Sequence, residues 1–136
     1  MTSADPLVTG VDFLSIPTQD LERSVDFYEN VLGLEAGKTW GQENPLGAEY
    51  ETGTVTLALI DVARLGIEFG ATSVPIAFQV DDVPAAREQL EAKGVRFVSE
   101  TFDSGVCWQA ICLDPDGNPL SLHHRYAPKE ERPAAP

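Results

Sequence analysis

The segment 114-DPDGNPLSLHHR-125 brings together the residue types that most often do chemistry in proteins. It carries two acidic residues, and it ends with the chain's only two histidines followed by an arginine. Histidine with carboxylates is a common ligand set for divalent metal ions, whereas two histidines beside an arginine can also hold an anion. The segment therefore predicts either a metal centre, and with it an enzyme, or the wall of a binding cavity.

The two adjacent histidines are expected to lie on opposite faces of a β-strand. Successive side chains of a strand point to opposite faces, so His123 and His124 cannot both reach one ion. The leucines of the segment should pack on a helix, which places Ser121, His123 and Arg125 on the opposite, cavity side. One inward histidine without a carboxylate nearby is a poor metal site, so the pattern favours a cavity wall.

Other catalytic patterns are weak or absent in the sequence. Cys107 and Cys112 lie in one short segment, which favours reduced, buried thiols over a disulfide. Cys107 is expected to face the core, whereas Cys112 is expected to share the side of His123 as an inert thiol. The sequence contains no nucleophile-elbow motif, no phosphate-binding glycine loop and no zinc-binding spacing.

Composition restricts the class of protein. The chain has 136 residues, enough for one domain with a core, and 43% of them are hydrophobic. Acidic residues outnumber basic ones 22 to 9, and the net charge of −13 disfavours nucleic acid and anionic membranes as partners. No apolar run reaches the ~18 residues that a membrane span requires, and the N-terminus does not resemble a secretion signal. These features indicate a cytoplasmic protein.

The strongest organising signal is an internal repeat. One plan is shared by 13-FLSIPTQDLERSVDFYENVLGL-34 and 75-PIAFQVDDVPAAREQLEAKGV-95: an apolar strand, an aspartate, an amphipathic helix, and a glycine that ends it. Asp20 and Asp82 are the expected N-caps of the two helices, because a short side-chain oxygen can accept the unpaired N–H groups of the first turn. Three strand-like runs follow each helix, so the sequence predicts a βαβββ module that is used twice.

The predicted boundaries follow from this repeat. The strand-like runs are 35–40, 47–52 and 54–62 after the first helix, and 95–100, 106–113 and 119–126 after the second. The chain is divided into a flexible leader (1–10), module one (about 11–62), a connector (63–73), module two (74–126) and a flexible tail (127–136). Modules one and two together are expected to form a single domain.

A known superfamily shares three motifs with this chain, in the same order. The motifs F-L-S-I-P-x-x-D-L-E-R-S-x-x-F-Y-E-x-x-L-G-L, A-F-x-V-D-D-V and D-P-D-G-N-P-L resemble the vicinal oxygen chelate superfamily. That group includes glyoxalase I, bleomycin-resistance proteins and extradiol dioxygenases. The resemblance implies an α+β fold in which two βαβββ modules form curved mixed sheets around a cavity. It also implies a homodimer, and a scaffold that hosts many activities.

Metal-dependent members of the superfamily hold a divalent cation with His, Gln or Glu from the first and last strand of each module. The matching positions on the first strands of this chain are Phe13 and Pro75. On the last strands they are Ser121 in module two and Thr56 or Ala58 in module one. None of these side chains is a good cation ligand. We therefore expect the purified protein to carry no stoichiometric divalent metal and to use no other cofactor.

The alternation along each strand predicts which side chains line the cavity. Ile111 and Leu113 are assigned to the core, which turns Ala110, Cys112 and Trp108 inward. Trp108 is the favoured ligand contact, because an indole offers a stacking surface and one N–H donor, and its truncation should weaken binding about tenfold. The predicted ligand-binding residues are Phe13, Ser15, Trp40, Tyr50, Thr56, Gln79, Trp108, Ser121, His123 and Arg125.

An aromatic and apolar wall with a few polar groups suits a small organic ligand. The sequence therefore favours metal-independent binding of a small, partly aromatic molecule, with sequestration of an antibiotic or toxic metabolite as its role. The alternative is an enzyme on the same scaffold, a glyoxalase-like lyase or isomerase or a dioxygenase, with His123 as its acid or base. For Trp40, Tyr50 and Trp108, a place in the core or in a dimer interface is the other interpretation.

Overall fold

Two curved four-stranded sheets form the framework of the protein, one in each half of the chain. The structure is a computed structural model, and it describes residues 6–41 and 43–128. The chain divides into two compact units, Met1–Gly70 and Ala71–Pro136. The flexibility predicted for residues 1–5 and 129–136 lies outside the described residues. Within the described part, no helix is long and apolar enough to cross a membrane.

The first unit contains one helix and four strands. In chain order its elements are β1 (Phe13–Thr18), α1 (Leu21–Asp26), a π-helical turn (Phe27–Val31), β2 (Lys38–Trp40), β3 (Gly47–Glu51), β4 (Thr56–Asp61) and a 3-10 turn (Val62–Leu65). The strand order is β1-β4-β3-β2. β1 runs parallel to β4, whereas the other pairs are antiparallel.

The second unit repeats this plan. Its elements are β5 (Ile76–Gln79), α2 (Val83–Ala92), β6 (Phe102–Asp103), β7 (Cys107–Leu113) and β8 (Pro119–Arg125). The strand order is β5-β8-β7-β6, with β5 parallel to β8 and the remaining pairs antiparallel. The repeat in the sequence is therefore a repeat in structure, and the prediction of an α+β fold built from two βαβββ modules is confirmed.

Helix α1 is attached to the first sheet through its N-terminus. The Asp20 side chain accepts a hydrogen bond from the Arg23 N–H at 3.1 Å, as predicted for an N-cap. The hydroxyls of Thr18 on β1 and Ser24 on α1 lie 2.7 Å apart and are buried. This contact identifies the face of the sheet that α1 covers, and the same face carries Ile16 and Leu59, which are almost fully buried.

Helix α2 is attached to the second sheet in two ways. The Asp82 side chain accepts a hydrogen bond from the Ala85 N–H at 3.0 Å, which confirms the second predicted cap. The Arg87 guanidinium lies 4.6 Å from the centroid of the Phe97 ring and donates to the Ser99 carbonyl at 2.8 Å. Because Phe97 bridges to β7, these contacts show which face of the second sheet α2 covers.

The strand predicted at 95–100 is interrupted in the structure. Phe97 forms only an isolated bridge with Cys112, and β6 begins later, at Phe102. The cause lies at Ser99, whose hydroxyl accepts the Ile111 N–H at 2.9 Å while its carbonyl accepts the Arg87 guanidinium. A side chain thus replaces the backbone acceptor of the ladder, so the regular pairing stops there and resumes after Ser99.

The turn between β7 and β8 accounts for the acidic residues of the D-P-D-G-N-P motif. Asp114 is buried, and its carboxylate accepts the N–H groups of Asp116 and Asn118 and the amide of Asn118, each at 2.9 Å. Gly117 has a φ of 86°, a left-handed conformation that favours glycine. The Asn118 side-chain oxygen also accepts the Thr72 N–H at 3.0 Å. The motif therefore has a structural role in the hairpin.

The capping aspartates offer a direct test of this architecture. Asp82→Ala is expected to lower the free energy of unfolding by about 1 kcal/mol, because an N–H of the first turn loses its acceptor. Asp81→Ala is the matched control, since Asp81 is an exposed neighbour with the same charge that does not cap the helix. Urea unfolding of both variants measures the difference, and equal stabilities would contradict the capping role.

Candidate functional site

One face of each sheet is covered by the helix of its own unit, and we call the opposite face the open face. Side chains that are directly paired on neighbouring strands lie on the same face of a sheet. The strand registers therefore assign every strand residue to the helix-covered face or to the open face. Residues whose types suit ligand binding can be sorted by this criterion.

A row of hydrogen-bonding side chains crosses the open face of the second sheet. His123 on β8 pairs with Gln79 on β5 and with Gln109 on β7, and Gln109 pairs with Phe102 on β6. We call Gln79, His123 and Gln109 the polar row. Ser121 lies on the same face in the next row. The open face thus presents both donors and acceptors beside an aromatic ring.

Gln109 is held in place by two hydrogen bonds. The Ser121 hydroxyl donates to its Oε1 at 3.1 Å, and its Nε2 donates to the Cys107 thiol at 3.4 Å. The imidazole of His123, in contrast, makes no hydrogen bond within the described part of the chain and is half-buried. Within the polar row, Gln79 and His123 are therefore the side chains with unused hydrogen-bonding capacity among the described residues.

The prediction that the two histidines point to opposite faces is confirmed. His124 pairs with Trp108 on the helix-covered face, while His123 pairs with Gln109 on the open face. The Nδ1 of His124 lies 3.2 Å from the Val80 carbonyl, a contact that ties β8 to the end of β5. His124 thus makes a structural contact, whereas His123 faces the open side of the sheet.

The inward orientation predicted for Trp108 is wrong. Trp108 is on the helix-covered face, where it is 40% exposed at the end of β7. Ala110 and Cys112 share that face and are fully buried beneath α2, next to the leucines of β8. Ile111, which was assigned to the core, lies on the open face beside Ser121. The smaller side chains of β7 face the core and the larger Ile111 does not, so hydrophobicity alone misassigned the face.

The two cysteines exchange their expected places. Cys107 was expected in the core but pairs with Arg125 on the open face, where the Ser104 hydroxyl lies 2.9 Å from its sulfur. Cys112 lies on the helix-covered face instead of beside His123. Burial, with a smaller effect of the Asp114 carboxylate, raises the pKa of the Cys112 thiol to about 11. This thiol is therefore protonated at neutral pH and a poor nucleophile.

The open face of the first sheet carries aromatic and charged side chains. Trp40 on β2 pairs with Gly47 on β3, and its indole lies so close to Gly47 that a Cβ there would overlap the ring. The Nε1 atom of Trp40 is buried and has no hydrogen-bond partner among the described residues. Phe13, Thr56 and Glu51 form another row, in which the Thr56 hydroxyl donates to Glu51 at 2.7 Å.

The prediction that Tyr50 lines the ligand site on the open face is also wrong. Tyr50 pairs with Leu57 on the helix-covered face and is only 1% exposed. Burial, with an added effect of the Glu29 carboxylate, raises the pKa of its phenol to about 12. Its hydroxyl has no hydrogen-bond partner within the described part of the chain. The core interpretation of this aromatic residue is therefore the correct one.

The remaining predicted site residues lie on open faces. Those of the first sheet are Phe13, Ser15, Trp40 and Thr56, and those of the second are Gln79, Ser121, His123 and Arg125. Whether they bind a ligand stays a prediction. Gln109 and Glu49 also lie on open faces and were not predicted from the sequence. Gln109 could have been found by counting outward from the turn, which pairs Leu113 with Pro119 and hence Gln109 with His123.

The positions of a possible metal site carry side chains that do not fit a divalent cation. Phe13 lies directly beside Thr56 on the first sheet. On the second sheet Ser121 lies beside Ala77, and the predicted ligand position Pro75 precedes β5. A phenyl ring, a methyl group and two neutral hydroxyls lack the imidazole or carboxylate donors that such ions require. Within the described residues, no group of three or more His, Cys, Asp and Glu side chains could hold a metal ion.

A separate groove runs along α1 and the π-helical turn. Its lining is mainly charged and polar, formed by Asp20, Glu22, Arg23, Val25, Asp26, Glu29 and Asn30. Two of its carboxylates already accept hydrogen bonds. Asp20 caps the helix, and Asp26 accepts the Asn30 amide at 2.7 Å. Val25 is the one apolar residue in this lining, whereas ligand sites are usually lined mainly by hydrophobic side chains.

Comparison with known proteins identifies the family. The model of the Glyoxalase/Bleomycin resistance protein/Dioxygenase superfamily matches residues 10–122. The chain belongs to this superfamily. The resemblance found in the sequence motifs is thereby confirmed, and the two repeated modules are those of the superfamily fold.

Relatives within the superfamily have different names and functions. The lactoylglutathione lyase of Escherichia coli O157:H7 is 31% identical over 118 residues, covering 76% of this chain and 83% of that protein. The glutathione transferase FosA of Serratia marcescens is 28% identical over 121 residues, covering 86% and 82%. Among solved structures, TnmS3, an antibiotic binding protein from Streptomyces sp. CB03234, superimposes with a TM-score of 0.73 at 22% identity, covering 89% of this chain and 99% of that one.

The buried phenol of Tyr50 predicts a pH dependence of stability. Its pKa is raised in the folded state, so the unfolded chain releases the proton first, and stability should fall as the pH rises from about 10 to about 12. Tyr50→Phe removes this titration and should lose less stability over that interval. Urea unfolding at several alkaline pH values compares the two proteins. An identical alkaline loss in both would contradict the assignment.

Proposed function

We propose that this protein binds a small, partly aromatic organic molecule at the open face of a sheet, without a metal ion. Its role in the cell is to sequester an antibiotic or a toxic metabolite. The observation that carries the proposal is the open face of the second sheet, where the polar row borders apolar side chains. Such a combination of a few directional polar groups with apolar surface is typical of small-molecule sites.

The polar row can recognise the edge of a flat molecule. Gln79 and His123 offer donors and acceptors, while Gln109 is fixed by Ser121 and Cys107. Ile111 and Phe102 supply apolar surface on the same face. A ring system that lies on the apolar side chains could turn its carbonyl or N–H groups toward His123. The apolar contacts would supply affinity, and the hydrogen bonds would fix the orientation of the ligand.

The metal-independent character is supported by the side chains at the positions where related metal enzymes hold a cation. Phe13, Ala58, Pro75 and Ser121 supply no strong donor, and Thr56 supplies only a neutral hydroxyl that is engaged with Glu51. The sequestering role is supported by the structural neighbour described as an antibiotic binding protein and by the bleomycin-resistance members of the superfamily.

An enzyme on the same scaffold is the alternative. Relatives named lactoylglutathione lyase and glutathione transferase favour it, and His123 is the one imidazole on an open face among the described residues. A glyoxalase-like lyase or isomerase, or a dioxygenase, would then use His123 as its acid or base. Turnover of lactoylglutathione by the purified protein, abolished by His123→Ala, would establish this alternative.

The ligand-binding proposal is tested with acridone, an uncharged tricyclic aromatic compound that carries one carbonyl and one N–H. Acridone should bind in the presence of EDTA, and its own fluorescence reports the binding. His123→Ala should weaken the affinity about tenfold, which corresponds to about 1.4 kcal/mol. Gln109→Ala should weaken it by a similar factor, because the polar row loses its fixed amide.

Two controls lie on the helix-covered face. His124→Ala removes the neighbouring imidazole, and Trp108→Ala removes the indole, yet neither side chain shares a face with the polar row. Both variants should bind acridone as the unmodified protein does. The proposal fails if acridone does not bind, if EDTA abolishes its binding, or if His124→Ala weakens it as much as His123→Ala.

We further propose a cytoplasmic homodimer that binds neither nucleic acid nor membranes. Within their own sheets, β1 and β5 are end strands, and exposed apolar side chains such as Phe13, Val74 and Tyr126 are suited to a protein interface. Sedimentation equilibrium is expected to give the mass of two chains at micromolar concentration. A mass of one chain that does not change with concentration would contradict the dimer.

A further inference from the structure

Glu49 on β3 is a carboxylate without a partner on the open face of the first sheet. It pairs with Ala58 on β4 and Lys38 on β2, so all three side chains share that face. Glu49 is half-buried, and it makes no hydrogen bond or ion pair among the described residues. A carboxylate with unused acceptor capacity can be paired by a cation that is placed beside it.

Trp40 supplies an aromatic surface on the same face. Its indole lies against Gly47, which is two residues before Glu49 on β3. Diagonal neighbours on one face of an antiparallel pair are roughly 7–8 Å apart, within reach of a long or aromatic side chain. The indole of tryptophan is the best of the aromatic rings for attracting a cation over its face.

A second carboxylate extends this surface. Glu51 is exposed on the same face and is oriented by the Thr56 hydroxyl at 2.7 Å. The open face of the second sheet differs, because its polar row contains no carboxylate and Arg125 lies at its end. A positively charged ligand is therefore favoured at the open face of the first sheet, in a chain whose net charge is −13.

We propose that Trp40, Glu49 and Glu51 form a subsite for an organic cation, the protonated amine or quaternary nitrogen of an aromatic ligand. This inference rests on the proposed function, because it specifies the charge of the small molecule that is bound. Trp40 covers one side of the cationic ring, and Glu49 supplies the opposite charge. Lys38 lies opposite Glu49 on the neighbouring strand. Its positive charge repels a bound cation and so limits the affinity of the subsite.

The experiment compares two fluorescent tricyclic probes of similar size. Proflavine is cationic at neutral pH, whereas acridone is neutral. Proflavine should bind the unmodified protein at least about tenfold more tightly than acridone. Glu49→Gln should remove about tenfold of the affinity for proflavine and leave the affinity for acridone unchanged. Lys38→Met should strengthen proflavine binding about threefold, since it removes a nearby positive charge.

The control variant separates a subsite from general attraction to an acidic protein. Glu68→Gln changes the net charge by the same amount at an exposed position in the same unit, outside the sheet. It should leave proflavine binding unchanged. An equal loss with Glu68→Gln and Glu49→Gln would overturn the subsite. The subsite would also be overturned if Lys38→Met did not bind proflavine more tightly. Lys38 is exposed, so this variant should fold normally.

The outcomes distinguish the subsite from the proposed function on which it rests. If acridone binds and proflavine binds no more tightly, the cation subsite is wrong while the proposed function stands. If neither probe binds, both are overturned. If proflavine alone binds and Glu49→Gln abolishes that binding, the cation subsite is supported while the proposed binding of a neutral ligand at the polar row fails.

Discussion

The carboxylate of Asp114 holds the turn on which the second open face depends. Three hydrogen bonds to Asp116 and Asn118 close the hairpin, and the closed hairpin pairs Leu113 with Pro119. Every later pair of β7 and β8 follows from that one, so His123 meets Gln109 and Trp108 meets His124. A shift of one residue would move all of these side chains to opposite faces. The position of the polar row therefore depends on Asp114, a buried residue that lies outside the row.

Much of the fold was predictable because its signals are local. The caps at Asp20 and Asp82, the glycine turns and the repeat of one strand-helix plan require only neighbouring residues. The break near Ser99 was not predictable, because it depends on a guanidinium from α2 and on Ile111 from another strand. Local chemistry indicates where an element begins and ends, whereas a defect in a ladder depends on partners distant in sequence.

The candidate site was predicted less well than the fold. Strand alternation gives two possible faces, and on β7 and β8 hydrophobicity was used to choose between them. On β8 the leucines made that choice correct, so Ser121 and His123 were assigned to the right face. On β7 the apolar Ile111 misled the assignment, whereas on β3 Tyr50 was placed in the site for its aromatic ring, although it alternates with Glu49 and Glu51. The pairing register was the more informative signal, and it can be counted outward from the turn residues.

Gly47 allows the open face of the first sheet to be reshaped from a buried position. The indole of Trp40 occupies the space that a side chain at position 47 would need. A single added methyl group would meet both this ring and the backbone carbonyl of Leu59, so the ring would have to move and the open face would change shape. Selection on the shape of this face could therefore act at a buried glycine. A search for specificity determinants that considers only exposed positions would overlook it.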